Sequence, residues 1–318
     1  MKRTLFITAS MVLMLWSCHE SDDVLGASSD DAMLKLSLET RATVAGDDTP
    51  IWIWANTSAS SVYLSAWKLG ANGEITSDNI KYWPSDGSGL TLYALKGNFE
   101  DGTIIKDTTP WSGLSVTHTV LNDQTSEVSL SKSNLCYTSA SGNNNGQPIN
   151  MTLQPLLSKI IVGFNLSESK GITKSALSGA TVTINDILPQ TTFTSSDGKI
   201  SAASGTETQI TICSSLPQPP ETLTTYTSTN PLKVGEAIVP PQTIAIGKKL
   251  VTVKLNDGSG RTFNYNFSGS SALTMSGGYS YQFTFKIIDG ELTISSIDVT
   301  DYSKSTIEMS WNVYIPYQ

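Results

Sequence analysis

Charge is scarce in this chain: Asp, Glu, Lys and Arg make up 15% of its 318 residues, against about 25% in an average globular protein, with Ser, Thr, Asn and Gly in their place. That balance favours a β-rich extracellular protein over a helical cytosolic one. Positive charge is the scarcer sign. The 20 Lys and Arg against 28 Asp and Glu leave a net charge of −8 and a pI near 4.8. No Lys/Arg cluster offers a basic field to phosphates, so no nucleic acid is expected as a partner. Histidine is nearly absent, and only His118 falls in the part expected to fold; one imidazole makes no metal site, and a solvent-facing strand position is expected for it. Cysteine is as rare. Beyond Cys18, Cys136 and Cys213 stand too far apart for a disulfide framework or a zinc spacing. They could pair in an oxidising compartment, but buried free thiols are the reading preferred here. Gly-x-Ser-x-Gly elbows, P-loops and dinucleotide fingerprints are missing, and the carboxylates stand mostly in turns, where Asp serves backbone geometry. No catalytic residue and no cofactor is therefore assigned, and the chain is read as a non-enzyme. Paired carboxylates or a nucleophile brought together in a cleft would make a surface hydrolase of it.

What is present begins at the N-terminus. Lys2 and Arg3 precede an apolar run from Leu5 to Trp16, too short to cross a hydrocarbon core of about 30 Å but suited to an export signal. The run closes on Leu15-Trp16-Ser17-Cys18, which resembles a bacterial lipobox, although Trp16 is uncommon at that place. The resemblance implies that Cys18 is acylated and becomes the new N-terminus; the plainer alternative is an ordinary secretory signal with a chance Cys. Residues 19 to 31 are acidic and small, a solvated tether. Acidic residues behind a lipidated Cys also resemble a surface-export signal, which points to the outer face of an outer membrane.

Further on, Asn72-Gly73, Asp86-Gly87, Asp101-Gly102, Asp197-Gly198, Asp257-Gly258 and Asp289-Gly290 supply tight turns. Between them lie short alternating runs such as Leu90-Thr91-Leu92-Tyr93 and Tyr279-Ser280-Tyr281-Gln282-Phe283-Thr284-Phe285, the pattern of antiparallel strands. Helical spacing is lacking, apart from a short turn within residues 168 to 178. The fold class is all-β. A stretch at 138 to 148 without core-forming side chains reads as a boundary, giving a signal and lipobox at 1 to 18, the tether at 19 to 31, and β-sandwiches at 32 to 148 and 149 to 318. Trp52, Trp54, Trp67, Trp83 and Trp111 are assigned to the core. Were some exposed as a platform, they would stack on sugars, and the chain would be a glycan-binding lipoprotein of a polysaccharide uptake system.

The two ends carry matching amphipathic segments. Near the start, Leu34, Leu36 and Leu38 face one way and Arg41 follows; at the end, Ile307, Met309, Trp311, Val313 and Ile315 alternate with polar residues. Both segments can be ordinary first and last strands of a sandwich.

Several stretches together resemble the fimbrillin family, the surface pilus subunits of Gram-negative gut and oral anaerobes. Lys81-Tyr82-Trp83-Pro84-Ser85-Asp86-Gly87 with Leu90-Thr91-Leu92-Tyr93-Ala94 is similar to a strand, turn and strand of its first domain. Leu157-Ser158-Lys159-Ile160 is similar to a segment near its domain junction, and Val239-Pro240-Pro241-Gln242, Gly278-Tyr279-Ser280-Tyr281 and Ile297-Asp298-Val299-Thr300-Asp301-Tyr302 to its late strands. Pro155 and Tyr302 depart from the His and Trp usual there. The resemblance implies two tandem transthyretin-like β-sandwiches, export as a lipoprotein anchored in the outer membrane, and assembly with other fimbrial subunits of the same or another kind. Adhesion to a host or bacterial surface receptor would be the task. It further implies cleavage after Arg41, loss of a leader strand carrying Leu34, Leu36 and Leu38, and its replacement by a donor strand carrying Ile307, Met309, Trp311, Val313 and Ile315. Three buried Leu give about 5 to 9 kcal/mol of gross burial and the five larger residues roughly twice that, before ordering costs.

Overall fold

A computed structural model describes residues 34, 36–40, 47–58, 61–69, 82–145, 147, 149–219, 222–302 and 309–313. The expected all-β class is what it contains. One seven-stranded sheet holds β1 (Leu36–Thr40), β2 (Ile51–Thr57), β3 (Val62–Leu69), β4 (Leu90–Lys96), β6 (Cys136–Gly142), β7 (Ile149–Pro155) and β20 (Met309–Val313), in the order β20-β1-β7-β6-β4-β2-β3. Four strands, β12 (Thr208–Cys213), β9 (Thr181–Ile187), β15 (Lys249–Lys254) and β16 (Thr262–Asn266), form a second sheet in that order. A third four-stranded sheet runs β13 (Leu232–Val239), β8 (Ser158–Phe164), β18 (Tyr279–Ile288), β19 (Glu291–Asp301). Between these lie a three-stranded sheet, β11 (Lys199–Ile200), β10 (Gln190–Thr194) and β5 (Ser115–Thr119), and a two-stranded ribbon of β14 (Thr243–Ile244) and β17 (Leu273–Thr274).

The strands form where side chains fit both faces of a sheet. In β2 the sequence IWIWANT buries both: Ile51, Ile53 and Ala55 join a small cluster with Leu38, Trp67 and Met151, whereas Trp52 and Trp54 join the large core. All five tryptophans assigned to the core are buried, none more than 6% exposed. β18 sends Tyr281, Phe283, Phe285 and Ile287 to one face, all buried, and turns into β19 through Asp289 (φ 51°) and Gly290 (φ 89°). Two consecutive left-handed residues make the turn whose twist suits a hairpin, and Ile288 pairs directly with Glu291.

The seam expected between 148 and 149 falls inside a sheet. β7 begins at Ile149 but pairs with β1 along its length and with β6 at Cys136 and Tyr137, so the sheets change over between Pro155 and Ser158. The stretch 138 to 148 is thus the β6–β7 connection together with most of β6. Two ladders also depart from the antiparallel expectation, since β1 runs parallel to β7 and β18 parallel to β8.

The two halves are joined by more than a linker. β5 from the first pairs over its whole length with β10 from the second. Trp111 stacks on Tyr93 with centroids 4.3 Å apart and packs against Phe193 of β10. The Gln124 side chain acts as a surrogate strand residue: its Oε1 accepts from the Ile238 backbone N–H at 2.7 Å and its Nε2 donates to the Ile238 carbonyl at 3.0 Å.

His118 does not face solvent. It points inward from β5, 0% exposed, because it shares the face of Val116. Its Nδ1 accepts from the Asn98 N–H at 2.9 Å, which leaves Nε2 to carry the proton and donate to the Ser133 carbonyl at 2.9 Å. Burial pushes its pKa down to about 4. Cys136 and Cys213 are buried free thiols, as preferred, and burial pushes the Cys136 thiol up to about 11. The short turn foreseen within 168 to 178 is α2 (Lys174–Leu177), whereas α1 (Glu127–Ser133) was not anticipated. Ser126 and Ser129 close α1 reciprocally at its N-terminus, a capping box built from two serines.

Candidate functional site

β1 lies between two neighbours that hold it differently. On one side Leu36 to Thr40 pair in parallel with Ile149 to Leu153; on the other they pair antiparallel with Val313 to Met309, so that Leu36 meets Val313, Leu38 meets Trp311 and Thr40 meets Met309. Every other described ladder in this sheet is antiparallel. Parallel ladders are slightly weaker per residue, which makes the β1–β7 contact the less stable of its kind here.

Leu34 and Leu38 are 2% and 0% exposed, and both belong to the small cluster with Ile149, Met151, Leu153 and Trp83 rather than to the large core. Among the described side chains, none of β1 or β7 belongs to the large core. Loss of β1 would therefore strip one face of one sheet and leave the main body packed.

Just downstream of β1 the chain is nailed down. Asp47 is 1% exposed and bonds the Lys96 ammonium, itself 2% exposed, at 2.6 Å. Lys96 also donates to Ser131 Oγ at 2.8 Å, Ser131 Oγ donates to Asp47, and the Thr49 N–H donates to Asp47 Oδ1 at 2.9 Å. Burial raises the Asp47 pKa, but the Lys96 charge and these hydrogen bonds outweigh it and hold the carboxyl below its usual range. No short-range sequence signal marks this knot, because its members come from three separate elements.

At the other end Tyr302 fixes the point where the chain leaves β19. Its N–H donates to the Gly278 carbonyl at 2.7 Å, its ring lies 4.1 Å beneath the Lys159 ammonium, and its hydroxyl accepts from Asn134 Nδ2 at 3.4 Å. Burial raises the Tyr302 pKa well above the ordinary phenol.

Of the residues singled out in the sequence, Leu36, Leu38, Met309, Trp311 and Val313 are brought into one sheet, and Leu34 is buried just before its first strand. Cys18, Arg41, Ile307 and Ile315 lie outside the described residues, as do the signal segment and the tether. Two features were missed: the strand that borders the leader, β7, and the pairing of the C-terminal strand with the leader of its own chain. A cleft of roughly 300 Å³ is lined by Trp52, Lys68, Asn98, Phe99, Glu100 and Lys132, among others. Trp52 offers no platform there, being 6% exposed with the Lys68 ammonium 5.0 Å from its ring centre. Among the described residues no helix is long and apolar enough to cross a membrane, and no three His, Cys, Asp or Glu side chains gather as for a metal ion.

These sheets define an all-β protein of a kind solved from several Bacteroides species. The chain is similar to a candidate cell adhesion protein from Bacteroides uniformis, at 19% identity and TM-score 0.59, over 86% of this chain and 98% of that one. It is similar to another from Bacteroides ovatus at 14% identity and TM-score 0.60, over 85% and 97%. A fimbrial protein from Bacteroides vulgatus aligns at 12% identity with TM-score 0.49, over 84% and 99%. The first two show a shared fold. The chain belongs to the fimbrillin-like family, whose profile matches residues 40–301. Among curated proteins no sequence matches it.

Proposed function

We propose that this protein is a fimbrial subunit of the cell surface, exported as a lipoprotein on Cys18, cut after Arg41 and assembled by donor-strand exchange to serve adhesion. Membership of the fimbrillin-like family supports the fimbrial reading, as does the shared fold with candidate cell adhesion proteins from Bacteroides uniformis and Bacteroides ovatus. The observation that carries the exchange mechanism is the position of β1, held by a parallel ladder to β7 and flanked on its outer side by β20.

One departure then does two things. Without β1 the edge of β7 presents unpaired N–H and C=O groups, a template for an incoming strand. At the same time β20 loses its only described ladder partner and is free to leave. A β20 from another copy entering antiparallel to β7 would replace a parallel ladder with an antiparallel one, a gain per residue, and its segment would bring five apolar side chains, Trp311 among them, in place of three leucines. While β1 is in place, acceptor edge and donor strand are both occupied within one chain, which keeps the precursor monomeric. The body survives the cut because the leader packs in the small cluster and because Asp47, Lys96 and Ser131 tie down the segment that precedes β2.

The test is to treat purified protein with an Arg-specific protease and follow mass and size. Cleavage behind residue 41 is expected to release the leader and convert monomers into strings visible by electron microscopy. Cut protein that stays monomeric at high concentration would refute the mechanism. Trp52, Trp54, Trp67, Trp83 and Trp111, from which a glycan-binding platform would be built, are all buried, so that reading gains no support.

A further inference from the structure

β18 and β19 leave part of their inner face bare. By register, Val299 pairs with Tyr281 and Ile297 with Phe283, so both point to the side where Tyr281 and Phe283 are 4% and 0% exposed. Yet Ile297 is 37% exposed, Val299 54%, and Tyr279, one pair further on, 44%. Leu292, at the start of the same strand, is 4% exposed, and β16 packs against β19. The cover therefore stops partway along β19. The bare portion is the one next to Tyr302, on the last strand of its sheet, where a row of apolar side chains and open backbone groups is normally avoided.

We infer that Tyr279, Ile297 and Val299 form a shelf on which a second copy of this chain rests, the copy that accepts β20. This rests on the strand-exchange reading and follows from the reach of the chain. Tyr302 is pinned by Gly278, Lys159 and Asn134, and the next described strand begins at Met309. That interval spans at most about 25 Å when fully extended. Whichever copy takes β20 into its first sheet must bring that sheet within this distance of Tyr302, and two of the shelf's three residues lie on β19, the strand that ends next to Tyr302. In the single chain β20 folds back on its own β1 and the shelf stays bare; in the assembly the body of the acceptor stands beside it. The donor strand thus supplies one part of the joint and the shelf another. An inserted strand alone, on a short tether, would leave the two bodies free to swing, whereas an apolar shelf fixes the angle between them.

Ile297→Lys and Val299→Lys, made together in the full chain, separate the two contributions. The uncut variant should melt as the parent does, since both positions are solvent-exposed on an edge strand that tolerates lysine. A synthetic peptide of residues 303 to 318 should bind the cut variant as tightly as the cut parent, because the acceptor edge of β7 is untouched. Subunit association after cleavage should weaken by at least about tenfold, equivalent to about 1.4 kcal/mol, as burial of two branched aliphatic side chains is lost. Should the lysine pair lower the melting temperature, Val299→Ser alone is measured in the same way, with a smaller loss of association expected. Association equal to the parent's in the folded variant overturns the shelf and leaves strand exchange standing. Failure of the peptide to bind the cut parent overturns strand exchange, and the shelf with it.

Discussion

Replacing Leu38 by alanine asks how firmly the first strand is held. Leu38 of β1 is fully buried and, with Leu34 just before the strand, belongs to the small cluster that holds Met151 and Trp83. Together the two leucines contribute about 3 to 6 kcal/mol of gross burial, and truncating one to alanine in a packed site costs about 2 to 5 kcal/mol. Because Leu34 and Leu38 belong to the small cluster and not to the large core, that loss should appear as local opening of the strand rather than as unfolding of the body. Taking the lower figure, the open population rises about 30-fold. Two assays read it. The initial rate of cleavage by an Arg-specific protease tracks the open population when reclosing is fast and should rise by a similar factor. Amide exchange should quicken in Leu36 to Thr40 and in the facing residues Ile149 to Leu153, and not in β8 or β18. Ile246→Ala, at a position 57% exposed, serves as the control and should change neither. Unchanged cleavage and exchange in the Leu38 variant would refute the idea that the leader is a separable strand held by its leucines.

Asp47→Ala should cost about 3 to 5 kcal/mol by chemical denaturation, since it strands a buried lysine, and pairing it with Lys96→Met should recover most of the loss; equal instability of both variants would contradict the pairing. The Asp47 carboxyl is held below its usual range in the fold, so its stabilising effect is complete above the unfolded value near 4 and lost as pH falls below it; Asp47→Asn should flatten that acid limb of a melting-temperature profile. His118 is depressed from 6.5 to about 4, so the unfolded chain takes up a proton that the folded one refuses. Stability should fall by up to about 3 kcal/mol as pH drops from 6.5 towards 4, and His118→Gln should remove this slope, read as denaturation midpoints at several pH values. Deleting residues 303 to 318 should leave a folded monomer by circular dichroism that no longer assembles after cleavage; filaments from that variant would reject β20 as donor.

Much of the fold could be read from side-chain period. Alternation gave the all-β class, and five of the six Asn-Gly and Asp-Gly pairs fall within the described residues, each with its Gly at positive φ. The buried tryptophans and thiols followed from burial tendencies. His118 was misread although the signal was present: in Ser115-Val116-Thr117-His118-Thr119 the histidine shares the face of Val116, and the Asn98 N–H and the Ser133 carbonyl, both distant in sequence, make that position habitable for an imidazole. The serine cap of α1 was equally legible and overlooked. The sheet membership of β7 was not legible, because a strand's composition says which face is apolar and not which neighbour it joins. For the same reason Leu34 to Leu38 and Met309 to Val313 could be recognised as strands, whereas their pairing with each other, across most of the chain, could not. The Asp47–Lys96–Ser131 knot lies further beyond reach, being assembled from a loop, a strand and a helix.

The amide of Gln124 has an effect beyond joining the halves. By satisfying the N–H and carbonyl of Ile238 it closes β13, one edge of its four-stranded sheet, at that residue, so a stray chain cannot register there.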